Sequence, residues 1–137
     1  MCIAAYVAQQ LKMWPQSGTK QEFLAWSILN ACDDLKRDKY SVEFGGNAAK
    51  ENHQKFVELR MIPWLQYWDR FLKTNGKEYM LGTEMYACDI CVWDVFDQAM
   101  AVFPEMKKAL DDFPDLKAYL DRVASDKNLA EYLKKRK

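Results

Sequence analysis

Apolar residues recur at helical spacing along nearly the whole chain, and no segment keeps the strict alternation of apolar and polar residues that is typical of strands. Glycine, which weakens helices, occurs only five times in the 137 residues. No two alternating segments are joined by a hairpin turn signal. The pattern therefore predicts an all-α domain built as a multi-helix bundle.

A short linker separates the first two predicted helices. The first helix is expected from Cys2 to Lys12, and the stretch from Trp14 to Gly18 should break it because the residue before a proline disfavours helix. Thr19 should then cap a long second helix that reaches at least Tyr40, with Glu22 completing a capping box. The first helix presents Ile3, Tyr6, Val7 and Leu11 on one side, and the inner side of the second is marked by Phe23, Trp26, Ile28, Leu29, Cys32 and Leu35.

A third long helix is expected from about Ala48 to Lys73, after a break at Gly45-Gly46-Asn47. Pro63 lies within this helix, and proline lacks an amide hydrogen and collides with the preceding turn. Either the helix kinks there or two helices meet at Met61-Ile62. Asn75-Gly76 should end it in a left-handed turn. The side chains expected to face inward are Phe56, Leu59, Ile62, Leu65 and Leu72.

Charge and length exclude several classes of function. Twenty acidic and twenty basic side chains cancel, so no net field attracts the chain to nucleic acid or to an anionic membrane. No apolar run is long enough to span a bilayer, and the first residues lack the features of a signal peptide. We expect a single-domain, cytoplasmic protein without a nucleic-acid or membrane partner.

The four cysteines lack the density of a disulfide framework, so reduced thiols are expected. Cys88 and Cys91 form a CxxC motif, but a redox pair of this kind normally opens a helix that follows a strand, and no strand is predicted. A zinc site needs four ligands, and His53 is the only histidine. We therefore predict no metal site, two buried core thiols one turn apart, and an exposed His53.

The segment from Gly82 to Gln98 is the most informative in the chain. Asp89 should be the third residue of a buried helix, where a carboxylate accepts a free backbone N–H and meets the positive end of the helix dipole. Asp89 is therefore predicted to be a structural helix cap. The segment resembles the core helix in the helical domain of cytosolic glutathione transferases, whose pattern is Gly, three residues, Ser or Thr, two residues, and Asp. Tyr86 replaces the hydroxyl residue of that pattern and cannot fold back onto the helix.

Two further segments resemble the same family. Phe113 to Ser125, followed by Leu129 to Leu133, is similar to the last helices of the sigma, pi and alpha classes. Cys2 to Ala8 is similar to the helix that closes the family's thioredoxin-like domain, with Ala5 where an arginine is common. The resemblance divides the chain into residues 1–13, a remnant of that domain; residues 14–18, a linker; and residues 19–137, the C-terminal-like helical domain.

The resemblance implies that the chain is part of a transferase of the sigma, mu, pi or alpha group. The parent enzyme conjugates glutathione to hydrophobic electrophiles as a homodimer. Glutathione is then a co-substrate, and no cofactor is expected. The segment from Asp33 to Arg37 resembles one that, in the family, carries a carboxylate reaching across the dimer to the ammonium of glutathione. The resemblance places that carboxylate at Asp34. Tyr40 and Phe44 are the candidates for the electrophile site. The residues that hold and ionise the thiol precede the first helix in the family, so we expect the chain alone to be inactive and assign no catalytic residue.

Alternatives remain for each of these assignments. Asp33 and Asp34 could be solvated charges paired with Lys36, Arg37 or Lys39 at helical spacing. Simple packing against the neighbouring long helix explains Tyr40 and Phe44 equally well. The whole chain could instead be a non-catalytic interaction module, similar to those of translation elongation factor gamma subunits and aminoacyl-tRNA synthetase complexes. Four rings cover both faces of one helix and are expected to meet something outside the domain. These are Trp64, Tyr67, Trp68 and Phe71.

Overall fold

The computed structural model describes residues 2–45, 53, 55–75 and 78–136, and within them it confirms the all-α prediction. The described helices are α1 (Cys2–Gln10), α2 (Lys20–Glu43), a π-helical segment (Val57–Met61), α3 (Ile62–Asn75), α4 (Ala87–Val102), α5 (Pro104–Ala109), a 3₁₀ turn (Leu110–Asp112), α6 (Pro114–Ala124) and α7 (Lys127–Lys135). In these residue ranges there is no strand, only one bridge between Tyr79 and Gly82. None of the described helices is long and apolar enough to cross a membrane.

The start of α2 follows the predicted cap with one change. Thr19 Oγ1 accepts the N–H of Glu22 at 3.2 Å, as expected of a residue that satisfies a free donor at a helix start. The Glu22 carboxylate accepts instead from the N–H of Gly18, at 2.8 Å, one residue before the cap. Gly18 can present its N–H in this way because its φ of +78° is accessible to glycine. The helix continues past Tyr40 to Glu43, as predicted.

Of the two outcomes predicted around Pro63, the meeting of two helices at Met61-Ile62 is closer to the structure than a single kinked helix. A π-helical turn over Val57–Met61 gives way to α3 at Ile62, which keeps helical angles of φ −64° and ψ −46°. The wider turn accommodates a proline that has no amide hydrogen to donate. It also changes which side chains face inward, because the predicted face assumed 3.6 residues per turn. Met61 is buried, whereas Leu59 is 66% exposed, so the inward prediction for Leu59 was wrong.

The core is organised around α4, which packs most extensively against α2 and also contacts α1, α5 and α6. Large side chains from several elements are fully buried around it, so the described helices share one hydrophobic core. The buried residues of α4 are Cys88, Asp89, Val92, Val95, Phe96 and Ala99. The largest buried side chains from other elements are Trp68, Tyr119, Phe103, Ile28 and Leu29.

The first helix attaches to this core through small residues. Ala5 and Ala8 are 2% and 3% exposed, and the N–H of Ala87 donates to the carbonyl of Met13 at 2.9 Å just beyond the helix. The large apolar residues of α1 lie on the opposite side and are exposed: Ile3 (81%), Tyr6 (63%), Val7 (48%) and Leu11 (64%). In α2, Phe23 is 69% exposed, so its predicted inward position was also wrong.

Candidate functional site

A cavity of about 490 Å³ opens between α2 and the segment that joins the π-helical turn to α3. One wall comes from α2, where positions three and four residues apart share a face. The opposite wall is partly aromatic. The lining residues are Ser27, Asn30, Ala31 and Asp34 on one side, and Arg60, Pro63, Trp64 and Tyr67 on the other.

Asp38, four residues after Asp34 on α2, accepts three converging hydrogen bonds from Arg60 and Trp64, which line the opposite wall of this cavity. Its Oδ2 accepts from Arg60 Nε at 3.0 Å, from Arg60 Nη2 at 2.7 Å and from Trp64 Nε1 at 3.0 Å. Charge-assisted bonds of this kind are about twice as strong as neutral ones. The contact links α2 to the π-helical turn and to α3, and Asp38 and Arg60 also line a smaller cavity of about 260 Å³. The sequence analysis did not identify Asp38 or Arg60.

Asp34 lies at the mouth of the cavity with its side chain 59% exposed. Its ion-pair contact is with Arg37, at 3.7 Å, and the Arg37 side chain is itself 78% exposed. Lys36 and Lys39, the other cations considered for Asp34, lie 3.2 Å from Asp94 and 2.9 Å from Glu43 respectively. Exposed pairs at such separations are weak, so the Asp34 carboxylate is accessible to a cationic ligand.

Tyr40 and Phe44 form an exposed aromatic pair on a different side of α2. Their ring centroids are 5.9 Å apart, and they are 46% and 75% exposed. The ammonium of Lys39 lies 4.7 Å from the centroid of the Tyr40 ring. Neither aromatic residue lines the Asp34 cavity. Their exposure does not support the alternative that they pack against the neighbouring long helix.

The aromatic residues of α3 are more enclosed than the sequence suggested. Trp68 is fully buried, and its ring centroid lies 5.1 Å from that of Tyr67 and 6.2 Å from that of Phe71. Trp64 and Tyr67 are partly buried and meet edge to face at 5.8 Å. Trp64 and Tyr67 both line the cavity between α2 and α3, and the expected contact of these rings with something outside the domain stays a prediction.

Asp89 is fully buried at the start of α4 and has three donors. Its Oδ2 accepts from the N–H of Tyr86 at 2.8 Å, and its Oδ1 accepts from the N–H of Met80 and from the hydroxyl of Tyr119, both at 2.9 Å. The Tyr86 phenol donates instead to Glu84 at 3.2 Å. Burial raises the pKa of Asp89, and the three hydrogen bonds oppose that rise. Burial, followed by the nearby charge of Asp89, raises the pKa of Tyr119. The Asp89 carboxylate thereby joins the start of α4 to the loop that contains Met80 and to Tyr119 of α6.

The thiols and the histidine do not form a reactive centre in the described residues. Cys32 and Cys88 are buried, while Cys91 is only partly buried, which corrects one half of the prediction for the CxxC motif. Burial raises the pKa of all three thiols, so they favour the neutral form. His53 is also half-buried rather than exposed, with its ring 5.0 Å from that of Phe103. No cluster of metal-ligating side chains occurs within the described ranges.

These features define an all-α domain with a buried carboxylate cap and an open cavity between two long helices. Residues 33–136 match the family described as Glutathione S-transferase, C-terminal domain. Because that match covers more than half of the chain, the chain belongs to the glutathione S-transferase family and contains its C-terminal helical domain.

Individual relatives agree with this assignment. The Glutathione S-transferase of Plasmodium yoelii yoelii is 26% identical over 121 residues, covering 88% of this chain and 54% of that protein. Glutathione S-transferase P 2 of Bufo bufo is 27% identical over 132 residues, covering 93% of this chain and 60% of that protein. The chain thus spans about half to three-fifths of the length of these relatives.

A solved structure confirms the fold. The Pi-class Glutathione S-transferase of Onchocerca volvulus matches with a TM-score of 0.81, over 98% of this chain and 63% of that chain. Its sequence identity is 18%, so the likeness concerns the arrangement of helices.

Proposed function

We propose that this chain is the helical electrophile-binding and dimerisation domain of a glutathione transferase that conjugates glutathione to hydrophobic electrophiles. The observation that carries the proposal is the accessible carboxylate of Asp34 at the mouth of the cavity between α2 and α3. A carboxylate forms charge-assisted hydrogen bonds with an ammonium group. In the proposed homodimer, Asp34 binds the ammonium of glutathione held by the partner subunit, and glutathione serves as a co-substrate.

The exposed aromatic pair of α2 is the proposed contact for the electrophile. Tyr40 and Phe44 present two neighbouring rings, tilted by 33° to each other, to solvent beside the charged group of Lys39. Aromatic faces bind flat apolar molecules by burying area without unmet hydrogen bonds. Because these rings lie away from the Asp34 cavity, the proposal places the electrophile and the cross-subunit ammonium at separate surfaces of α2.

The exposed side of α1 supports a two-domain arrangement. Its large apolar side chains project away from the bundle while its alanines hold it to the core. Contiguous exposed apolar patches usually mark interaction surfaces. We assign this face to contact with a thioredoxin-like domain, with residues 14–18 as the linker. The free thiols of Cys32, Cys88 and Cys91 fit the proposed cytoplasmic location.

The chain alone is expected to give no measurable conjugation of glutathione to 1-chloro-2,4-dinitrobenzene. A free thiol is mostly protonated at neutral pH, and none of the residues proposed here stabilises its anion. The assay follows product absorbance, with a complete pi-class glutathione transferase as the positive control. If the chain alone shows turnover, and if Asp34→Ala reduces it, the proposal that this chain cannot activate glutathione by itself is contradicted.

Asp34 can be tested in a chimera that places the thioredoxin-like domain of a pi-class glutathione transferase, without its closing helix, before Cys2. We expect this chimera to catalyse conjugation, and Asp34→Ala to raise its KM for glutathione by at least about tenfold, because charged hydrogen bonds contribute ~1.5–3 kcal/mol. The KM for the electrophile should change little. Asp33→Ala is the matched control on the same helix. Equal effects of the two substitutions, or a rise only in the KM for the electrophile, would exclude the proposed role of Asp34.

A further inference from the structure

Among the described elements, α2 and α4 pack together most extensively, and the two helices run in the same direction. Near the start of α2, Gln21 Nε2 donates at 3.1 Å to the carbonyl of Leu81, in the loop that Asp89 ties to the start of α4. Further along both helices, the ammonium of Lys36 lies 3.2 Å from the carboxylate of Asp94. Residues that lie equally far before these two ion-pair partners are therefore neighbours across the helix pair.

One helical turn before this ion pair, each helix carries a cysteine. On α2, Cys32 precedes Lys36 by four residues, which places both on the side that faces α4. On α4, Cys91 precedes Asp94 by three residues, which places both on the side that faces α2. With a rise of about 1.5 Å per residue, the two cysteines lie level along the helix pair to within about 2 Å. The two thiols therefore face each other across the contact between α2 and α4.

The surroundings of the two thiols differ. Cys32 is fully buried, and burial followed by the neighbouring Cys91 thiol raises the pKa of Cys32. Cys91 is only partly buried; burial raises its pKa, and the nearby ammonium of Lys36 opposes that rise. Because the thiolate is the nucleophilic form, Cys91 is the more accessible and the more reactive of the two. Neither thiol is activated as a catalytic cysteine is, so its oxidation should be slow.

We propose that hydrogen peroxide oxidises Cys32 and Cys91 to a reversible disulfide that joins α2 to α4. The Cys91 thiolate attacks one peroxide oxygen, so that an S–O bond forms, the O–O bond breaks and water leaves after protonation. The Cys32 thiolate then attacks the sulfur of this sulfenic acid, so that the S–S bond forms, the S–O bond breaks and a second water leaves. Two thiols lose two electrons and two protons, and hydrogen peroxide becomes two water molecules. The disulfide holds α2 against the core and does not depend on the transferase function.

Peroxide treatment of the reduced chain tests this pairing. The treated protein is denatured, its remaining thiols are alkylated, and it is digested without reduction by trypsin and by a protease that cuts before Asp89, between Cys88 and Cys91. We expect two of the four cysteines to resist alkylation, and the disulfide to lower the mass by about 2 Da. The digest should contain one peptide pair, which joins Cys32 to Cys91 and separates on reduction. The urea midpoint should be higher for the oxidised protein, because the cross-link restricts the unfolded chain.

The matched variants are Cys32→Ala and Cys88→Ala, since each removes one fully buried thiol. After peroxide treatment, Cys32→Ala should lack the cross-link and keep a Cys91 sulfenic acid that dimedone traps, whereas Cys88→Ala should form the cross-link. Circular dichroism checks that both variants fold, and the digest of the parent protein needs neither of them. The proposal is overturned if all four thiols of the parent stay open to alkylation, or if its cross-link contains Cys2 or Cys88 or joins two chains. A lower urea midpoint after oxidation would overturn it as well, because the native helices would then have to separate to form the bond.

Discussion

Replacement of Asp89 by alanine is expected to lower the free energy of unfolding by about 3–5 kcal/mol. The substitution leaves the N–H groups of Met80 and Tyr86 and the hydroxyl of Tyr119 without their acceptor. Each buried donor that loses its partner costs about 1–3 kcal/mol, and water can relieve part of that cost. The loss of charge at the start of α4 adds a smaller unfavourable contribution.

Urea unfolding followed by circular dichroism measures this effect. Asp97→Ala is the matched control, because Asp97 lies on the same helix with its side chain 46% exposed. It should change the free energy of unfolding by no more than about 0.5 kcal/mol. Asp89→Asn, which keeps the volume and one acceptor, should give an intermediate loss and provides a measurable protein if the alanine variant does not fold. A loss below about 1 kcal/mol for Asp89→Ala would show that the three contacts are not structural.

The pH dependence of stability gives a second test of Asp89. Because burial raises its pKa in the folded protein, the folded state binds this proton more tightly than the unfolded state does. The resulting stabilisation is fully present below the unfolded pKa, and it is lost as the pH rises through the folded pKa. Asp89→Asn removes this contribution. Subtracting the stability of the variant from that of the parent at each pH should therefore give a difference that falls as the pH rises.

Truncation of Leu65 to alanine is expected to cost about 2–5 kcal/mol, whereas the same change at Leu59 should cost no more than about 0.5 kcal/mol. The two residues lie six positions apart in one continuous helical segment, and the apolar pattern alone assigns both to the core. In the structure Leu65 is fully buried and Leu59 is 66% exposed. Removing buried methyl groups leaves a cavity, but removing exposed ones does not.

The pair provides its own control, since the substitution is the same and the two positions lie in adjoining helical segments. Urea unfolding midpoints, with unchanged slopes, give both free energies. Similar losses at the two positions would mean that Leu59 is covered, and that the π-helical turn does not rotate it out of the core. If Leu59→Ala lowers the free energy of unfolding strongly only when the protein is dimeric, Leu59 lies at a subunit interface. Unfolding measured at several protein concentrations distinguishes this case from burial within one subunit.

The sequence was most informative where a boundary depends on residues close to it. Thr19 accepts the expected N–H at the start of α2, and Pro114 occupies the first turn of α6. Asp126 caps α7 by accepting from the N–H groups of Asn128 and Leu129, at 3.0 and 3.2 Å. These contacts lie within three residues, so the type of side chain determines them. The ends predicted for the first two helices are accordingly close to the observed ones, Cys2–Gln10 for α1 and Lys20–Glu43 for α2.

Buried faces were harder to predict because they depend on packing partners. Hydrophobicity ranks Ile3 above Ala5, yet α1 buries the alanine, which allows close approach to α4, and exposes the isoleucine. The regular helical period placed Leu59 inward because nothing local signals a π-helical turn except Pro63 four residues later. The prediction for Phe23 was wrong because Phe23 lies nine positions before Cys32, about two and a half turns away, and so faces away from the buried side of α2.

The site was the least predictable part. Asp34 was found through a resemblance between short segments, and no local pattern foretells the cavity that it borders. That cavity depends on Asp38 meeting Arg60 and Trp64, residues 22 and 26 positions away. Periodicity cannot encode such separations. The roles of Asp34, Tyr40 and Phe44 therefore stay predictions, although the structure now gives each a defined surface.

The way α1 is attached has a consequence for how the molecule could be remodelled. Among its described side chains, α1 buries the two small residues Ala5 and Ala8 and leaves its bulky residues outside, and a backbone hydrogen bond from Ala87 to Met13 lies just beyond its end. Little apolar area is uncovered if it detaches, so opening at this joint should cost far less than unfolding of the bundle. Substitutions on the outer side of α1 can therefore accumulate without disturbing the core around α4. The same holds if the surface that contacts this side of α1 is replaced by another.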